Sequence, residues 1–209
     1  SYIFYNTNIL NSYHRPKFYE KQSADYEKKY KKYKNKSLPK ITAVNGEVHL
    51  FPSEARVKFS GTYKMKNKTE SAIDTIHSNF SPNFPYLQYD WSINNELVLN
   101  DSVYGWQMYV FNPPIMPGEE FLLKFKGERK RKGFNNGGVD MTVIENGTLI
   151  FSSQILPTFG YNPDRELSQK RTRKKYGLKE KKDSMPAYDD LEGLKNGILG
   201  DDADWVDYE

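Results

Sequence analysis

The chain has 209 residues, of which 37% are hydrophobic, 28% are charged and 15% are aromatic, and its formal net charge is +4. It contains no cysteine, which excludes disulfide bonds, thiolate zinc sites and cysteine nucleophiles. Its 16 Tyr and 12 Phe favour a β-rich core built on large amphipathic rings over a leucine-based helical bundle.

The charge is divided between the two ends of the chain. Residues 1–40 carry ten Lys or Arg against three Asp or Glu, whereas residues 183–209 carry nine acidic residues against Lys195 alone. The two ends either attract one another, which would suit a scaffold that assembles complexes through its charged ends, or form solvated tails. A nucleic-acid-binding protein more often keeps its acidic residues away from a basic face, so we expect no nucleic-acid partner.

The first residues resemble the aromatic belt at the end of a membrane-spanning helix, with Tyr2, Ile3, Phe4 and Tyr5 in succession. No apolar run approaches the roughly 20 residues that a spanning helix needs. Because there is no signal peptide and Ser1 is not a natural start, we expect the chain to be a fragment of a longer membrane protein.

Residues 17–36 predict an amphipathic helix that ends before Pro39. Four tyrosines share one face of this helix: Tyr19, Tyr26, Tyr30 and Tyr33. This face docks the helix on its own domain, or the helix is a basic stalk near anionic lipid headgroups.

From residue 41 the apolar residues alternate with polar ones, as they do in half-buried antiparallel strands. Nine segments follow this pattern: EVHLF, ARVKFSGTYKM, SAIDTIHSNF, LQYDWSI, ELVLND, GWQMYVF, EEFLLKFKG, VDMTVI and TLIFSSQIL. Pro52 and Ser53 predict one turn, and Asn146-Gly147 predicts a type I′ hairpin. The expected fold is all-β, a saddle-like sandwich of antiparallel strands with an N-terminal helix and an irregular C-terminal wrap.

This pattern divides the chain into three parts. Residues 1–40 are a post-membrane linker with the amphipathic helix, residues 41–165 are the β-domain, and residues 166–209 are a charged extension. The extension is expected to pack on the sheet or on a domain outside this chain. Its basic run, Lys170 to Lys175, is interpreted as a solvated loop that meets the acidic tail, and phosphate binding is the alternative.

No constellation in the sequence supplies a catalytic centre. His14, His49 and His77 form no HExxH and no pair at the helical spacing of metal ligands, so no metal or other cofactor is expected in this chain. No serine lies in a nucleophile elbow, and the glycine-rich NNGGVD is interpreted as a hairpin turn. Paired carboxylates can be neither argued nor excluded from one sequence.

Residues 151–167, FSSQILPTFGYNPDREL, begin like a core strand and continue as a loop rich in aromatic and turn residues. Such a loop either faces a partner domain or closes the open end of the sandwich. The candidates for contact with a partner domain are Phe159, Tyr161, Asp164 and Arg165.

Three segments resemble the N-terminal domain of the M1 (gluzincin) aminopeptidases, namely residues 46–80, 116–128 and 153–166. The subset fused to an ABC-2-type transporter permease in Bacteroidetes-type bacteria is especially similar, in its Tyr- and Lys-rich helix and in ILPTFGYNPDREL followed by KRTRKKYGL. The resemblance implies a saddle-shaped β-domain that covers the catalytic domain. It also implies that zinc and the general base lie in a downstream domain.

The resemblance further implies a loop that reaches the peptide site. Its Gln corresponds to Gln154, and its Glu, which helps to bind the free amino group, corresponds to Leu156. Both are substrate-pocket candidates, although leucine cannot pair with an ammonium group. The implied function is a non-catalytic, periplasmic domain of a membrane transporter–peptidase fusion, whose partners are its peptidase-like domain, the upstream permease and a peptide. The alternative is a peptide- or glycan-binding module without peptidase activity.

Overall fold

The computed structural model describes residues 1–80, 87–136, 142–151, 155–181, 189 and 206–209. The helices include α1 (Tyr2–Phe4) and α2 (Pro16–Tyr30), which precede the strands, and α3 (Lys170–Lys175), which lies between β10 (Thr158–Phe159) and β11 (Asp207–Tyr208). A π-helical turn, Tyr5–Leu10, continues α1, and a 3-10 turn, Lys31–Tyr33, follows α2. The predicted amphipathic helix is confirmed, and it begins at Pro16 because proline fits the first helical turn.

The strands form two main antiparallel sheets and one small hairpin, which confirms the predicted all-β fold with an N-terminal helix. The larger sheet has the order β11-β1-β2-β7-β4, and only its β11–β1 pair is parallel. The second sheet has the order β10-β3-β6-β5, and β8 pairs with β9. The strands are β1 (Lys40–Phe51), β2 (Arg56–Lys66), β3 (Ile73–Asn79), β4 (Gln88–Trp91), β5 (Asn95–Asp101), β6 (Trp106–Ile115), β7 (Glu120–Lys130), β8 (Val143–Ile144), β9 (Gly147–Thr148), β10 (Thr158–Phe159) and β11 (Asp207–Tyr208).

The main core lies between the two sheets. Alternate side chains of β2 and β7 point into it from the larger sheet, and side chains of β3 and β6 point into it from the second sheet. Trp91 of β4 contacts Tyr109 and Phe111 of β6 across the interface, with ring centroids 5.3 and 5.2 Å apart. Large rings therefore join the two layers, as the aromatic composition predicts.

Gly61 of β2 lies where the larger sheet has no room for a side chain. A Cβ atom there would lie 2.4 Å from the carbonyl oxygen of Asn45 and 2.7 Å from the Phe125 ring. Gly46, its cross-strand partner on β1, has no such contact, since a Cβ atom there would lie 3.8 Å from the Ser60 oxygen.

Replacement of Gly61 with alanine should therefore lower the free energy of unfolding by about 1–3 kcal/mol through overpacking. Gly46→Ala is the matched control and should leave that free energy nearly unchanged. Urea denaturation of the two variants measures the difference, and equal losses would contradict the steric explanation.

The prediction that TLIFSSQIL, residues 148–156, forms a core strand is wrong. Within its described part only Thr148 belongs to a strand, and Leu149 and Phe151 are exposed. The hairpin pairs over two residues per strand and belongs to neither main sheet, so it has no sheet face to bury. Its turn residues, Glu145 and Asn146, do not have the positive φ that a type I′ turn requires, so that turn type was also wrong.

Candidate functional site

An aromatic cluster docks α2 against β6 and the loop that follows β10. Tyr26 and Tyr30 of α2 are buried, and the Tyr30 ring stacks on Trp106 with centroids 4.5 Å apart. The Tyr26 ring stacks on Tyr161 at 5.2 Å. The helix is therefore docked on its own domain through its tyrosines, as one of the two interpretations predicted, although Tyr19 stays exposed.

Arg165 ties the same loop to the second sheet. Its guanidinium lies 4.1 Å from the centroid of the Tyr26 ring, which places a cation over an aromatic face. Its Nη1 donates to Asn79 Oδ1 at 3.0 Å and to the Tyr104 carbonyl at 2.6 Å. The backbone N–H of Asn162 donates to the Tyr26 hydroxyl at 3.0 Å, so the loop is fixed on two sides.

A buried ion pair joins α2 to α3. Arg173 Nη2 and Nη1 donate to the two carboxylate oxygens of Glu27 at 2.7 and 2.8 Å, and both side chains are almost fully buried. The remaining donors of Arg173 reach the carbonyls of Leu167 and Lys179. Burial raises the pKa of Glu27, but hydrogen bonds from Arg173 and Lys31 outweigh it and hold that pKa below its usual value.

The interpretation of Lys170–Lys175 as a solvated loop was wrong, because the segment forms α3 and Arg173 is one of the most buried side chains. Lys175 pairs with Glu20 of α2 at 2.7 Å. The basic run thus meets acidic residues of the N-terminal helix. Sequence reasoning missed this pair because Arg173 lies among four other basic residues of the same run. The only signal in the sequence that could have indicated this pair was Glu27, a carboxylate next to the tyrosine face of α2.

His77 of β3 is buried beside this cluster. Its ring lies 4.5 Å from the Tyr33 centroid and 5.3 Å from the Trp106 centroid. Neither ring nitrogen has a hydrogen-bond partner among the described residues. Burial and, to a smaller extent, the positive charge of Lys36 lower the pKa of His77 to about 4, although the negative charge of Asp74 opposes the shift.

This lowered pKa makes a pH-dependent contribution to stability. The unfolded chain binds a proton at His77 below pH about 6.5, whereas the folded chain does so only near pH 4. The free energy of unfolding should therefore fall between these pH values, by at most about 1.4 kcal/mol per pH unit from this residue. His77→Phe keeps the stacking but removes the titration. Urea denaturation from pH 7.5 to 4 should show a shallower loss for the variant, and parallel curves would contradict the assignment.

The predicted site residues fall into four groups. Gln154 lies outside the described residues. Leu156 and Phe159 pack against the main core, and Tyr161 and Arg165 contact α2 as described above. Asp164 is exposed. The predicted roles of these residues at a peptide pocket and at a partner domain stay predictions.

An uncovered apolar surface lies at the end of the larger sheet that carries the β1–β2 turn. Val48 and Leu50 are 46% and 45% exposed, although their cross-strand partners, Phe59 and Val57, are buried on the core face. The β8–β9 hairpin packs beside this turn, and Leu149 and Phe151 follow it with 68% and 60% exposure. We call Val48, Leu50, Leu149 and Phe151 the apolar end. These four side chains leave apolar area in water that a partner would cover.

A shallow groove of about 520 Å³ crosses the outer face of the larger sheet. Its lining includes Ser60, Thr62, Asp90, Lys124 and Lys126. Across the described part of the chain, no three His, Cys, Asp or Glu side chains are grouped so that they could hold a metal ion. No helix among the described residues is long and apolar enough to span a membrane.

No protein-family model matches the chain, and no curated protein matches its sequence. Part of the chain is similar to solved M1 zinc metallopeptidases. The enzyme from Deinococcus radiodurans is 13% identical at a TM-score of 0.33, and the match covers 44% of this chain and 20% of that one. Yeast LTA4 hydrolase is 11% identical at a TM-score of 0.31, with 49% and 15% covered. Likeness of this degree establishes neither a family nor an activity for this chain.

Proposed function

We propose that this chain is a non-catalytic β-domain that packs against a peptidase-like domain of the same polypeptide. The parent protein would be an M1 aminopeptidase-like protein fused to an ABC-2-type permease, with this domain on the extracytoplasmic side. The resemblance over residues 46–80, 116–128 and 153–166 supports this assignment. Zinc would be bound by the peptidase-like domain, and this domain would border the peptide site.

The apolar end is the observation that carries the proposal. Val48 and Leu50 occupy core-facing register positions on β1 but are almost half exposed, so they are suited to packing against another domain. Leu149 and Phe151 shortly precede Gln154 in the sequence, and the resemblance implies that Gln154 would border the peptide site. Contact with the peptidase-like domain would therefore use residues before 155, since Tyr161 and Arg165 are already engaged with α2.

Leu156 defines a difference from the aminopeptidase pattern. Its side chain packs against the core and offers no group that binds an ammonium ion. We therefore propose that the domain shapes the peptide site without binding the free amino group of a peptide.

The first test is the coding sequence that follows residue 209, where an HExxH with a later Glu is expected. Leu50→Glu with Leu149→Glu in the full-length protein should then expose residues 46–51 to faster hydrogen exchange and lower EDTA-sensitive peptidase activity about tenfold. Leu97→Glu with Val103→Glu is the matched control, because these side chains are also exposed but lie elsewhere. An equal effect of the two double variants, or no zinc motif downstream, would refute the proposal.

A second candidate function, binding of a peptide or glycan for a transporter, is favoured by the groove. Its hydroxyl, amide, carboxylate and ammonium groups suit a polar ligand. Titration with short peptides and oligosaccharides tests it, and Lys124→Ala should weaken any binding that uses the groove.

A further inference from the structure

The helical segment Tyr2–Leu10 buries one side chain, Asn6, against the rest of the protein. Asn6 is buried, and Gly133 approaches it so closely that a Cβ atom there would lie 2.0 Å from Asn6 Oδ1. Asn11 Nδ2 donates to the carbonyls of Lys132 and Phe134 at 2.8 and 3.1 Å. Polar contacts of Asn6 and Asn11, together with a ring contact between Tyr2 and Phe134 at 5.8 Å, hold this segment on the domain.

Most large apolar side chains of the segment face solvent. Ile3, Phe4 and Ile9 are 66%, 57% and 65% exposed. Six further large side chains within residues 1–19 are also exposed: Tyr2, Tyr5, Leu10, Tyr13, Phe18 and Tyr19. A helix in water normally places its large apolar side chains on the protein, so their exposure here indicates an apolar medium or partner outside the domain.

The charge around this surface is positive. Arg15, Lys17 and Lys21 are exposed, and residues 1–19 contain no Asp or Glu. The first acidic residue, Glu20, is paired with Lys175. A second copy of the chain would bring two positive surfaces together, whereas an anionic bilayer offers both an apolar interior and the opposite charge.

We propose that the surface formed by residues 2–19 binds the interface of an anionic lipid bilayer. At 1.5 Å per residue, Tyr2–Leu10 is about 14 Å long, about half the thickness of a bilayer core, so this segment lies in the membrane plane. Its tyrosines sit at the headgroup level, where aromatic side chains are enriched, and Arg15 and Lys17 contact lipid phosphates. This binding requires neither the peptidase-like domain nor the apolar end.

Vesicle sedimentation of the 209-residue chain tests the proposal. We expect binding to phosphatidylcholine vesicles that contain about one third phosphatidylglycerol, and weaker binding to phosphatidylcholine alone. Combined Ile3→Asn, Phe4→Asn and Ile9→Asn should reduce the partition coefficient at least about tenfold. Arg15→Gln and Lys17→Gln should each reduce it about fivefold on the anionic vesicles only.

The matched control is Leu97→Asn with Val98→Asn and Val103→Asn, which removes the same number of exposed apolar side chains from another surface. Circular dichroism checks that each variant is folded. The control should bind vesicles like the unaltered chain. The proposal is overturned if the unaltered chain stays in the supernatant, if both triple variants lose binding equally, or if the N-terminal variant only dissociates a dimer.

Discussion

Replacement of Arg173 with methionine should lower the free energy of unfolding by about 3–5 kcal/mol, because the buried carboxylate of Glu27 loses its buried partner and keeps only the half-exposed Lys31. Arg173 makes two short hydrogen bonds to Glu27 and one each to two backbone carbonyls, all of which the variant loses. Urea denaturation at pH 7 measures the change.

Two further variants separate the buried charge from general damage to α3. Lys175→Met removes the exposed partner of Glu20 from the same helix and should have little effect, because solvent screens that pair. Glu27→Leu combined with Arg173→Met should recover much of the lost stability, since an apolar pair of similar volume removes the buried carboxylate. If the double variant is as unstable as Arg173→Met alone, the explanation is wrong.

Replacement of Trp106 with alanine should cost about 3–5 kcal/mol, the usual range when a large buried ring is removed. Trp106 is fully buried and contacts Tyr30 of the helix and His77 of β3. The loss should therefore loosen α2 as well as the second sheet, and near-ultraviolet circular dichroism should show weakened tyrosine signals along with the lower stability.

Tyr19→Ala serves as the control for Trp106→Ala, because Tyr19 lies on the same helix but is 52% exposed. Its effect on the free energy of unfolding should stay within about 0.5 kcal/mol, as for most surface substitutions. A loss of comparable size in the two variants would mean that the helix is held by something other than the ring cluster.

The β-strands could be predicted well from the sequence where one face of a sheet is buried. Alternation in β2 and β7 places Phe59, Tyr63, Leu123 and Phe125 on the core side, as the period-two pattern requires. The same pattern gave a wrong prediction at residues 148–151. Alternation indicates that one face of a strand could be buried, but it does not indicate whether another layer covers that face.

The helix junction could be predicted only in part. The spacing of Tyr26 and Tyr30 identified the docking face of α2, but nothing local in the sequence paired Glu27 with Arg173, which are 146 residues apart. The basic run predicted that Arg173 is solvated, which was wrong, because the burial of Arg173 depends on the carboxylate of Glu27 far away in the sequence. Contacts of this kind are properties of the tertiary structure alone.

The long separation between Glu27 and Arg173 also has a kinetic consequence. Closing so large a loop costs entropy before the pair can form, so α2 and α3 are expected to meet only after the intervening strands have assembled. The pair would then be absent from the transition state for folding. Breaking it should accelerate unfolding while leaving the refolding rate almost unchanged, so this contact governs how long the native chain survives.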